Sequence, residues 1–302
     1  VKFNSSGVRQ WGTYYGGTGT ESGFSCATDA SGNVYLAGYD RSNNGIATIG
    51  AHQTTFGGGS DAFLVKFNSS GVRQWGTYYG GTRTDYGYSC ATDASGNVYL
   101  AGYTESTTGI ATTGAHQTTF GGIWDAFLVK FNSSGVRQWG TYYGGTSFDH
   151  GYSSATDASG NVYLVGRARS TTGIATTGAH QNTFGGLDDA FLVKFNSSGV
   201  RQWGTYYGGT SVDYGYSCAT GASGNVYLAG RTNSTTGIAT TGAHQTTFGG
   251  GSFDVFLVKF DGCPATYSQD TITACDSYTW IDGVTYTLSD TTAKDTLVNA
   301  AG

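Results

Sequence analysis

Short runs of apolar residues, each rich in Val, Tyr, Phe and Thr, recur along most of this chain without the period of an amphipathic helix. In one unit they cover Gly23–Asp29, Asn33–Tyr39, Asp61–Phe67 and Val72–Gly80. "ASG" joins the first two runs and "NSSG" joins the last two. Both connections predict tight hairpins, because Gly adopts positive φ and Asp or Asn bonds the local backbone. Each unit is therefore predicted to hold four antiparallel β-strands.

The same four runs return every 64 residues, in four copies. Apolar side chains occupy both faces of the predicted strands, since Val34 and Leu36 alternate with Tyr35 and Ala37. A sheet that is apolar on both faces has to be covered on both. Four-stranded antiparallel sheets stacked face to face in a ring satisfy this requirement and form a β-propeller. A β-helix is the alternative, although its rungs are much shorter than 64 residues.

The two ends of the repeated region complement each other. The chain opens inside a third-type strand and then supplies a fourth-type strand at Val8–Gly16, whereas the repeats end at Val255–Phe260, a third-type strand without its fourth. We expect Val8–Gly16 to lie beside Val255–Phe260 and close a four-bladed ring, which would remove an open sheet edge. The alternative is an arc of a larger ring.

The phrase "DASGNVYLAGYT", a loop, and then "DAFLVKFNSSGVRQWGTYYGG" resembles the bacterial β-propeller repeat family abbreviated SBBP. The resemblance covers residues 1–261, which we take as one propeller domain. It implies a propeller fold and a place in large secreted or surface proteins. It implies no single activity.

Residues 262–302 have a different, Thr-rich composition. The stretch "CDSYTWIDGVTYT…LVNAAG" resembles modules of adhesin-like surface proteins in bacteria that use type IX secretion. We expect a small, truncated β-sandwich-like or linker module. Cys263 and Cys275 are candidate disulfide cysteines there, either with each other or with a Cys outside the chain.

Composition narrows the class of function. Charged residues make up 12% of the chain, aromatic residues 15%, and the formal net charge is −5. No basic cluster is present, so nucleic acid and anionic membrane are not expected as partners. No run of 18 apolar residues occurs either, so we expect no membrane insertion.

The residues that could carry catalysis repeat with the scaffold. His52, His116, His180 and His244 all lie in "GAHQ(T/N)TF", which favours a structural role over four active sites. The Asp of "DASGN" could suggest a Ca²⁺ ligand, but the fourth copy has Gly221, and turn formation explains it. We therefore expect no catalytic residue, no metal and no cofactor.

Three further cysteines occupy one repeat position. Cys26, Cys90 and Cys218 are equivalent, and the third copy has Ser154 there. Because a small polar side chain suffices at that position, we expect inert, buried thiols that form no disulfide.

The four copies differ mainly in three segments: "GTGTES/GTRTDY/GTSFDH/GTSVDY", "DRSNN/TESTT/ARSTT/TNSTT" and "GGGSD/GGIWD/GGLDD/GGGSFD". These segments flank connections that should emerge on one face of a propeller, opposite the constant hairpins. Recognition and neutral drift both remain open as the cause. The candidate binding residues on this variable face are Asp85, Tyr86, Trp124, Phe148, Asp149, His150, Asp213 and Tyr214.

We expect a non-catalytic structural or adhesive segment of a large secreted cell-surface protein or extracellular appendage. Its partners would be other copies or segments of the same assembly, or cell-surface glycans or proteins. A lectin-like propeller that binds glycans is the alternative. A lyase or hydrolase on a propeller scaffold is a third hypothesis.

Overall fold

The computed structural model describes residues 1–261 and two short strands beyond them. The strands are β1 (Lys2–Phe3), β2 (Arg9–Trp11), β3 (Glu21–Thr28), β4 (Val34–Asp40), β5 (Asp61–Phe67), β6 (Arg73–Tyr79), β7 (Asp85–Thr92), β8 (Val98–Thr104), β9 (Asp125–Phe131), β10 (Arg137–Tyr143), β11 (Asp149–Thr156), β12 (Val162–Ala168), β13 (Asp189–Phe195), β14 (Arg201–Tyr207), β15 (Asp213–Thr220), β16 (Val226–Thr232), β17 (Asp254–Phe260), β18 (Tyr278–Thr279) and β19 (Thr285–Tyr286). In this described part, no helix is long and apolar enough to cross a membrane.

The strands form antiparallel sheets in which sequence neighbours pair. Strands β3–β6 make blade 1, β7–β10 make blade 2, β11–β14 make blade 3, and β15–β17 make the three-stranded blade 4. The first strands of successive blades (β3, β7, β11 and β15) contact one another in series. The predicted all-β propeller architecture with 64-residue repeats is therefore confirmed. Strands β18 and β19 form a separate antiparallel pair.

The constant hairpins are held by their own side chains, as predicted. The Asp29 carboxylate accepts hydrogen bonds from the backbone N–H of Ser31 and of Asn33, both at 3.0 Å. Where the fourth copy has Gly221, the backbone turn persists, with the N–H of Gly221 donating to the carbonyl of Asn225 at 2.8 Å. The Asp of "DASGN" thus has a sufficient structural explanation.

Adjacent blades bury a core between their faces. Between blades 1 and 2, for example, Leu64 packs with Leu100 and Phe127, and all three side chains are buried. Each fourth strand also bonds to the following blade. The indole N–H of Trp75 donates to the carbonyl of Ser133 at 3.1 Å. The repeats therefore cohere through apolar burial together with a recurring set of polar contacts.

The predicted ring closure is wrong for this structure. Strand β2 pairs with β1, and in the described part of the chain β17 ends a sheet of three strands. The β1–β2 register sets Lys2 opposite Trp11, as Lys66 lies opposite Trp75 inside blade 1. A hairpin closed across a short turn loses far less chain entropy than pairing across the whole repeated region, which favours the local partner.

The cysteine prediction holds only in part. Cys90 is buried, Cys218 is half-buried and Cys26 is exposed, and all three are free thiols. Cys90 lies against the preceding blade, where its backbone N–H donates to the Ser25 hydroxyl at 3.1 Å. Cys26 is exposed because no earlier blade covers it in the described residues. Cys263 and Cys275, and the predicted module at 262–302, lie outside the residues whose side chains are described.

Candidate functional site

The structure brings the variable segments together at one end of the blades. Within blade 3, the backbone N–H of Arg169 donates to the carbonyl of Phe148 at 2.9 Å, which links two of the three variable segments. Between blades 2 and 3, the N–H of Asp149 donates to the carbonyl of Trp124 at 2.8 Å, which links the third. Equivalent backbone bonds join the other copies. Differences between copies are therefore concentrated in one continuous surface.

A β-bulge places an aromatic ring on the first strand of every blade. In β7, Gly87 pairs with Gly102 and Ser89 with Ala101, so Tyr88 is the extra residue. The equivalent bulge residues form a row with ring centroids 4.6, 5.6 and 5.6 Å apart: Phe24, Tyr88, Tyr152 and Tyr216. We call these four residues the bulge row. Bulges often re-aim side chains next to functional sites.

A second set of contacts runs beside the bulge row and joins one blade to the next. In each case a residue of the second strand meets a residue of the following blade's first strand. The pairs are Tyr39 with Tyr86 (4.8 Å), Tyr103 with His150 (4.0 Å) and the Arg167 guanidinium with Tyr214 (4.9 Å). Aromatic pairs and cation–π contacts of this kind stabilise the packing of one blade on the next.

The densest part of this surface lies where blades 2 and 3 meet. Trp124 stands edge-on to Tyr103, with centroids 4.9 Å apart, and lies parallel to Tyr86 at 6.1 Å. His150 stacks on Tyr103 and also lies 5.7 Å from Trp124. The Tyr88 and Tyr103 hydroxyls are 3.2 Å apart. We call Tyr86, Tyr88, Tyr103, Trp124, His150 and Tyr152 the aromatic cluster.

His150 is held as a neutral imidazole. Burial, followed by the charges of Arg167 and Arg169, lowers the pKa of His150 to about 3. Its Nδ1 lies 3.1 Å from the Tyr152 hydroxyl and 3.3 Å from the Arg167 guanidinium. A base of such low pKa accepts protons poorly near neutral pH, so this imidazole is suited to packing and hydrogen bonding rather than to proton transfer.

Basic side chains flank the cluster on the blade 4 side. Arg169 forms a double hydrogen bond with the Asp188 carboxylate, at 2.8 and 3.0 Å. The Arg231 guanidinium lies 4.7 Å from the Tyr214 ring and 4.2 Å from the Phe253 ring. Cation–π contacts therefore occur on this surface in blades 3 and 4, where Arg169 and Arg231 lie on aromatic rings.

Three of the predicted binding residues are not available to a partner. Asp85, Asp149 and Asp213 are fully buried. The Asp85 carboxylate accepts hydrogen bonds from the Thr104 and Ser106 hydroxyls and from the backbone N–H of Gly81. Because they satisfy polar groups of the connection, these carboxylates belong to the scaffold, and burial raises the pKa of Asp85 and of Asp149.

The other predicted residues do lie on the variable surface. Tyr86, Trp124, Phe148 and Tyr214 are half-buried, and His150 is 8% exposed. Phe148 lies under the Arg169 guanidinium at 5.6 Å. Sequence reasoning missed the bulge row, although an aromatic residue follows "DYG", "DHG" or "ESG" in every copy and was a readable signal.

Three of the repeated histidines of "GAHQ", His52, His116 and His180, pack against neighbouring rings. His52 lies 5.9 Å from Tyr79 and 5.8 Å from Phe131, and burial lowers its pKa to about 4. This placement fits the predicted structural role. Across residues 1–261, no three His, Cys, Asp or Glu side chains are grouped so that they could hold a metal ion.

Part of the repeat matches a known protein family. Residues 74–108, which run from β6 to just past β8, match the family model of the beta-propeller repeat (SBBP). Together with the blades, this match supports a β-propeller repeat protein.

Two curated proteins also match. An uncharacterized WD repeat-containing protein of Acanthamoeba polyphaga mimivirus is 24% identical over 227 residues, which is 66% of this chain and 16% of that protein. The regulatory protein FlaEY of Caulobacter vibrioides is 28% identical over 139 residues, which is 46% of this chain and 14% of that protein. The matched regions therefore span only a small fraction of these relatives. Among solved structures, the phage phi92 endosialidase aligns with 92% of this chain and 42% of its own, at 13% identity and a TM-score of 0.40.

Proposed function

We propose that this chain is a non-catalytic recognition segment of a large secreted cell-surface protein or extracellular appendage, and that it binds partners through the aromatic cluster and bulge row. One observation carries the proposal. Three positions at which nearly identical copies differ, Tyr86, Trp124 and His150, contribute rings to one continuous, ring-rich surface. Drift in unconstrained loops would have no reason to assemble such a surface.

The physical character of this surface suits binding. Phe24 and Tyr216, at the two ends of the bulge row, are 46% and 43% exposed. The rings between them are fixed by stacking, so little side-chain entropy is lost when a partner is bound. Since successive blades present related but different rings, several weak contacts can act together and raise the apparent affinity.

The titratable groups support a binding role over catalysis. His150 has a pKa of about 3 and remains neutral at physiological pH. Asp149, its neighbour in sequence, is buried and receives a hydrogen bond from the Ser170 hydroxyl at 2.5 Å. Neither group is arranged to exchange protons with a bound molecule in the way that a general acid or base requires.

A glycan is the second candidate ligand, and the bulge row is the observation that favours it. Phe24 and Tyr216, at the two ends of the bulge row, are partly exposed, and exposed aromatic rings can pack against the apolar face of a sugar. Arg231, whose guanidinium lies 5.6 Å from the Tyr216 ring at the end of the bulge row, would add affinity for an acidic sugar.

The test replaces cluster residues by those that another copy already tolerates. Tyr86→Ser and Trp124→Ser install the residues found at Ser22 and Ser60 of the first copy. We expect this double variant to lose most of the attachment of the purified chain to intact cells or arrayed glycans. Its melting temperature should stay within a few degrees of the parent's.

The matched control is Val72→Ser with Val136→Ser. Both valines are exposed, at 58% and 56%, and belong to the constant hairpins. If the parent, the double cluster variant and the control attach equally, the proposed binding role of the aromatic cluster is contradicted. Turnover of a glycan or ester that disappears in His150→Ala would overturn its non-catalytic part.

A further inference from the structure

The same small pocket occurs at two successive blade junctions, beside a constant "NSSG" hairpin. Its volume is about 140 Å³ between blades 1 and 2 and about 160 Å³ between blades 2 and 3. The second pocket is lined by Thr112, Gly114, Gln138, Trp139, Ser198 and Gly199, among others, and each of these has an equivalent 64 residues earlier in the first pocket. We call these two sites the junction pockets. A protein cavity of about 150 Å³ can hold benzene, so each junction pocket has room for one six-membered ring.

One wall of the second junction pocket is a tight turn in the connection between β8 and β9. The N–H of Ala115 donates to the carbonyl of Thr112 at 3.1 Å, and Gly114, with a φ of 79°, allows the chain to reverse there. The Thr112 hydroxyl fastens the turn to β10, because it accepts from the N–H of Gly140 at 3.2 Å and donates to the carbonyl of the same residue at 3.3 Å. This wall is therefore held in place by hydrogen bonds within blade 2.

The facing wall belongs to the next blade and rests on an indole. The Trp139 indole N–H donates to the carbonyl of Ser197 at 3.1 Å, and a Cβ on Gly199 would lie 2.7 Å from the Trp139 ring. The N–H of Ser198 donates to the Asn196 side chain at 3.0 Å, which sets the shape of the hairpin. Because both walls are in place before a ligand arrives, binding loses little conformational entropy.

The lining offers neutral hydrogen-bonding groups beside a half-buried indole. The Gln138 amide nitrogen donates to the carbonyl of Val136 at 3.0 Å, which fixes the amide and leaves its oxygen as an acceptor. The side chains of Thr113 and Ser198 are exposed and add two hydroxyls. Among the described residues, no charged side chain lines either pocket. Hydroxyls and an amide next to an apolar ring suit a neutral sugar, which carries hydroxyls at its edge and C–H groups on its faces.

We propose that each junction pocket binds one pyranose ring of a neutral glycan. A single pocket of this size makes few contacts with its ligand and binds it weakly. Two pockets on one chain can engage a glycan that repeats the same sugar, and tethered sites of this kind can gain roughly 10²–10⁴ in apparent affinity. The junction pockets share no residue with the aromatic cluster or the bulge row, so the inference does not rest on the proposed function.

One lining position distinguishes the two junction pockets chemically. Thr113 lines the second pocket, whereas Ile49, which is 105% exposed, lines the first. A threonine hydroxyl can bond a sugar hydroxyl and an isoleucine side chain cannot, so we expect the second pocket to bind more tightly. Threonine stands at this position in the other three copies, which makes Ile49→Thr a mild change. It should bring the affinity of the first pocket close to that of the second.

An NMR titration of the whole, nitrogen-labelled chain tests the inference. The indole N–H signals of Trp75 and Trp139 report on the two junction pockets, and that of Trp124 reports on the aromatic cluster. The probes are the methyl glycosides of glucose, galactose, mannose and N-acetylglucosamine, each added separately, with cyclohexanol as a ring of similar size that carries one hydroxyl. We expect at least one glycoside to shift the Trp75 and Trp139 signals saturably, with Trp139 responding at the lower concentration. The Trp124 signal should stay in place.

Variants separate the junction pockets from the rest of the surface. Gln74→Ala with Gln138→Ala removes the accepting amide from both pockets and should weaken binding roughly five- to tenfold. Its melting temperature should stay nearly unchanged, because both side chains are exposed. Val72→Ser with Val136→Ser, in constant hairpins but outside the lining, should bind the glycosides as the parent does.

Three results would overturn the inference. No glycoside shifts Trp75 or Trp139 saturably, cyclohexanol shifts them as far as the glycosides do, or the double glutamine variant binds like the parent. A shift confined to Trp124 would assign sugar binding to the aromatic cluster and would also count against the junction pockets.

Discussion

The His150 imidazole lies on the Tyr103 ring with centroids 4.0 Å apart and planes 12° apart. The two residues belong to different blades, so the variable surface is also part of the contact that holds blades 2 and 3 together. Recognition and inter-blade packing share the same side chains here. Changes to the cluster therefore have to be chosen so that the two effects can be separated.

Removal of the Tyr103 ring should expose the His150 imidazole to water and raise its pKa. Burial is the largest cause of the low His150 pKa, followed by the Arg167 charge. In Tyr103→Ala we expect the pKa of His150 to rise by roughly 1–2. It should stay below the ordinary value of 6.5, because the positive charges of Arg167 and Arg169 remain. An NMR titration of the imidazole measures it, and Tyr39→Ala, which alters blade 1 instead, should leave the pKa unchanged. An unaltered pKa in Tyr103→Ala would contradict the assigned cause.

Three buried carboxyls should each contribute more to the stability of the protein in mild acid than above neutral pH. Burial raises the pKa of Asp61 and of Asp125 to about 7 and that of Asp189 to about 6, from an ordinary 3.8. Each group gives stability that is fully present below pH 3.8 and is lost as the pH rises through its folded value. The buried neutral imidazoles of His52, His116 and His150, whose pKa values are lowered to about 4, 4 and 3, act in the opposite direction as the pH falls below 6.5. We therefore expect the carboxyl effect to be measurable as a difference between the parent and a carboxyl variant, each melted at pH 5 and at pH 8.

Asp61→Asn isolates one of these groups. The Asp61 carboxylate accepts hydrogen bonds from the Gln53 side chain and the backbone N–H of Gly57, both at 2.8 Å, while its second oxygen has no partner. An amide keeps the accepting oxygen and cannot ionise. We expect the variant to gain stability at pH 8 relative to the parent and to show a weaker pH dependence. Loss of stability at pH 8 would show that the carboxylate form is needed.

Much of the fold could be predicted because the sequence pattern of a blade occurs four times in the chain. The strands, hairpins and 64-residue period follow from residues such as Asp29 and Asn33, whose bonds are local. Ring closure could not be decided in the same way. The sequence shows that Val8–Gly16 fits a third strand, but two such strands are available, and the nearer one is favoured by chain entropy.

Only some residues of the candidate site could be predicted from the sequence, for a related reason. Trp124 and His150 stand out because the other copies lack them. Tyr88 repeats in kind in every copy and so looks like scaffold. Its role depends on the bulge that turns it towards Tyr103, and a period-2 pattern does not show a bulge. Conversely, Asp85 lies in a variable segment, but its buried carboxylate accepts hydrogen bonds from Gly81 and Ser106 of the neighbouring connections and is not available to a partner.

The three repeat cysteines should differ in reactivity. Burial raises the pKa of the Cys90 and Cys218 thiols to about 12, whereas Cys26 is exposed. We expect a thiol reagent at neutral pH to modify Cys26 well before the other two, as located by mass spectrometry. Rapid labelling of Cys90 in the folded chain would contradict this.

Substitution at the same position should be mild. Ser154 occupies it in blade 3, where its hydroxyl lies 3.0 Å from that of Ser89. In Cys90→Ser the new hydroxyl can meet Ser25 in the same way. We expect a loss of unfolding free energy of about 1 kcal/mol or less, measured by denaturant titration. A loss of several kcal/mol would mean that the thiol packs in a way that Ser154 does not reproduce.

Two glycines of equal backbone geometry should differ sharply in their tolerance of a methyl group. Gly135 and Gly114 have φ of 80° and 79°, so alanine is strained at both. A Cβ on Gly135 would lie 2.8 Å from the Trp75 ring, whereas one on Gly114 would meet nothing within 4 Å. Trp75 cannot easily withdraw, since its indole N–H bonds the carbonyl of Ser133. We expect Gly114→Ala to lose about 1–2 kcal/mol of unfolding free energy, from the left-handed backbone alone.

Gly135→Ala should lose roughly 1–3 kcal/mol more than Gly114→Ala, because the added methyl overpacks the contact between blades 1 and 2. Denaturant titration of both variants measures the difference. Equal losses would show that the indole moves aside freely and that the Trp75 contact does little to lock one blade to the next.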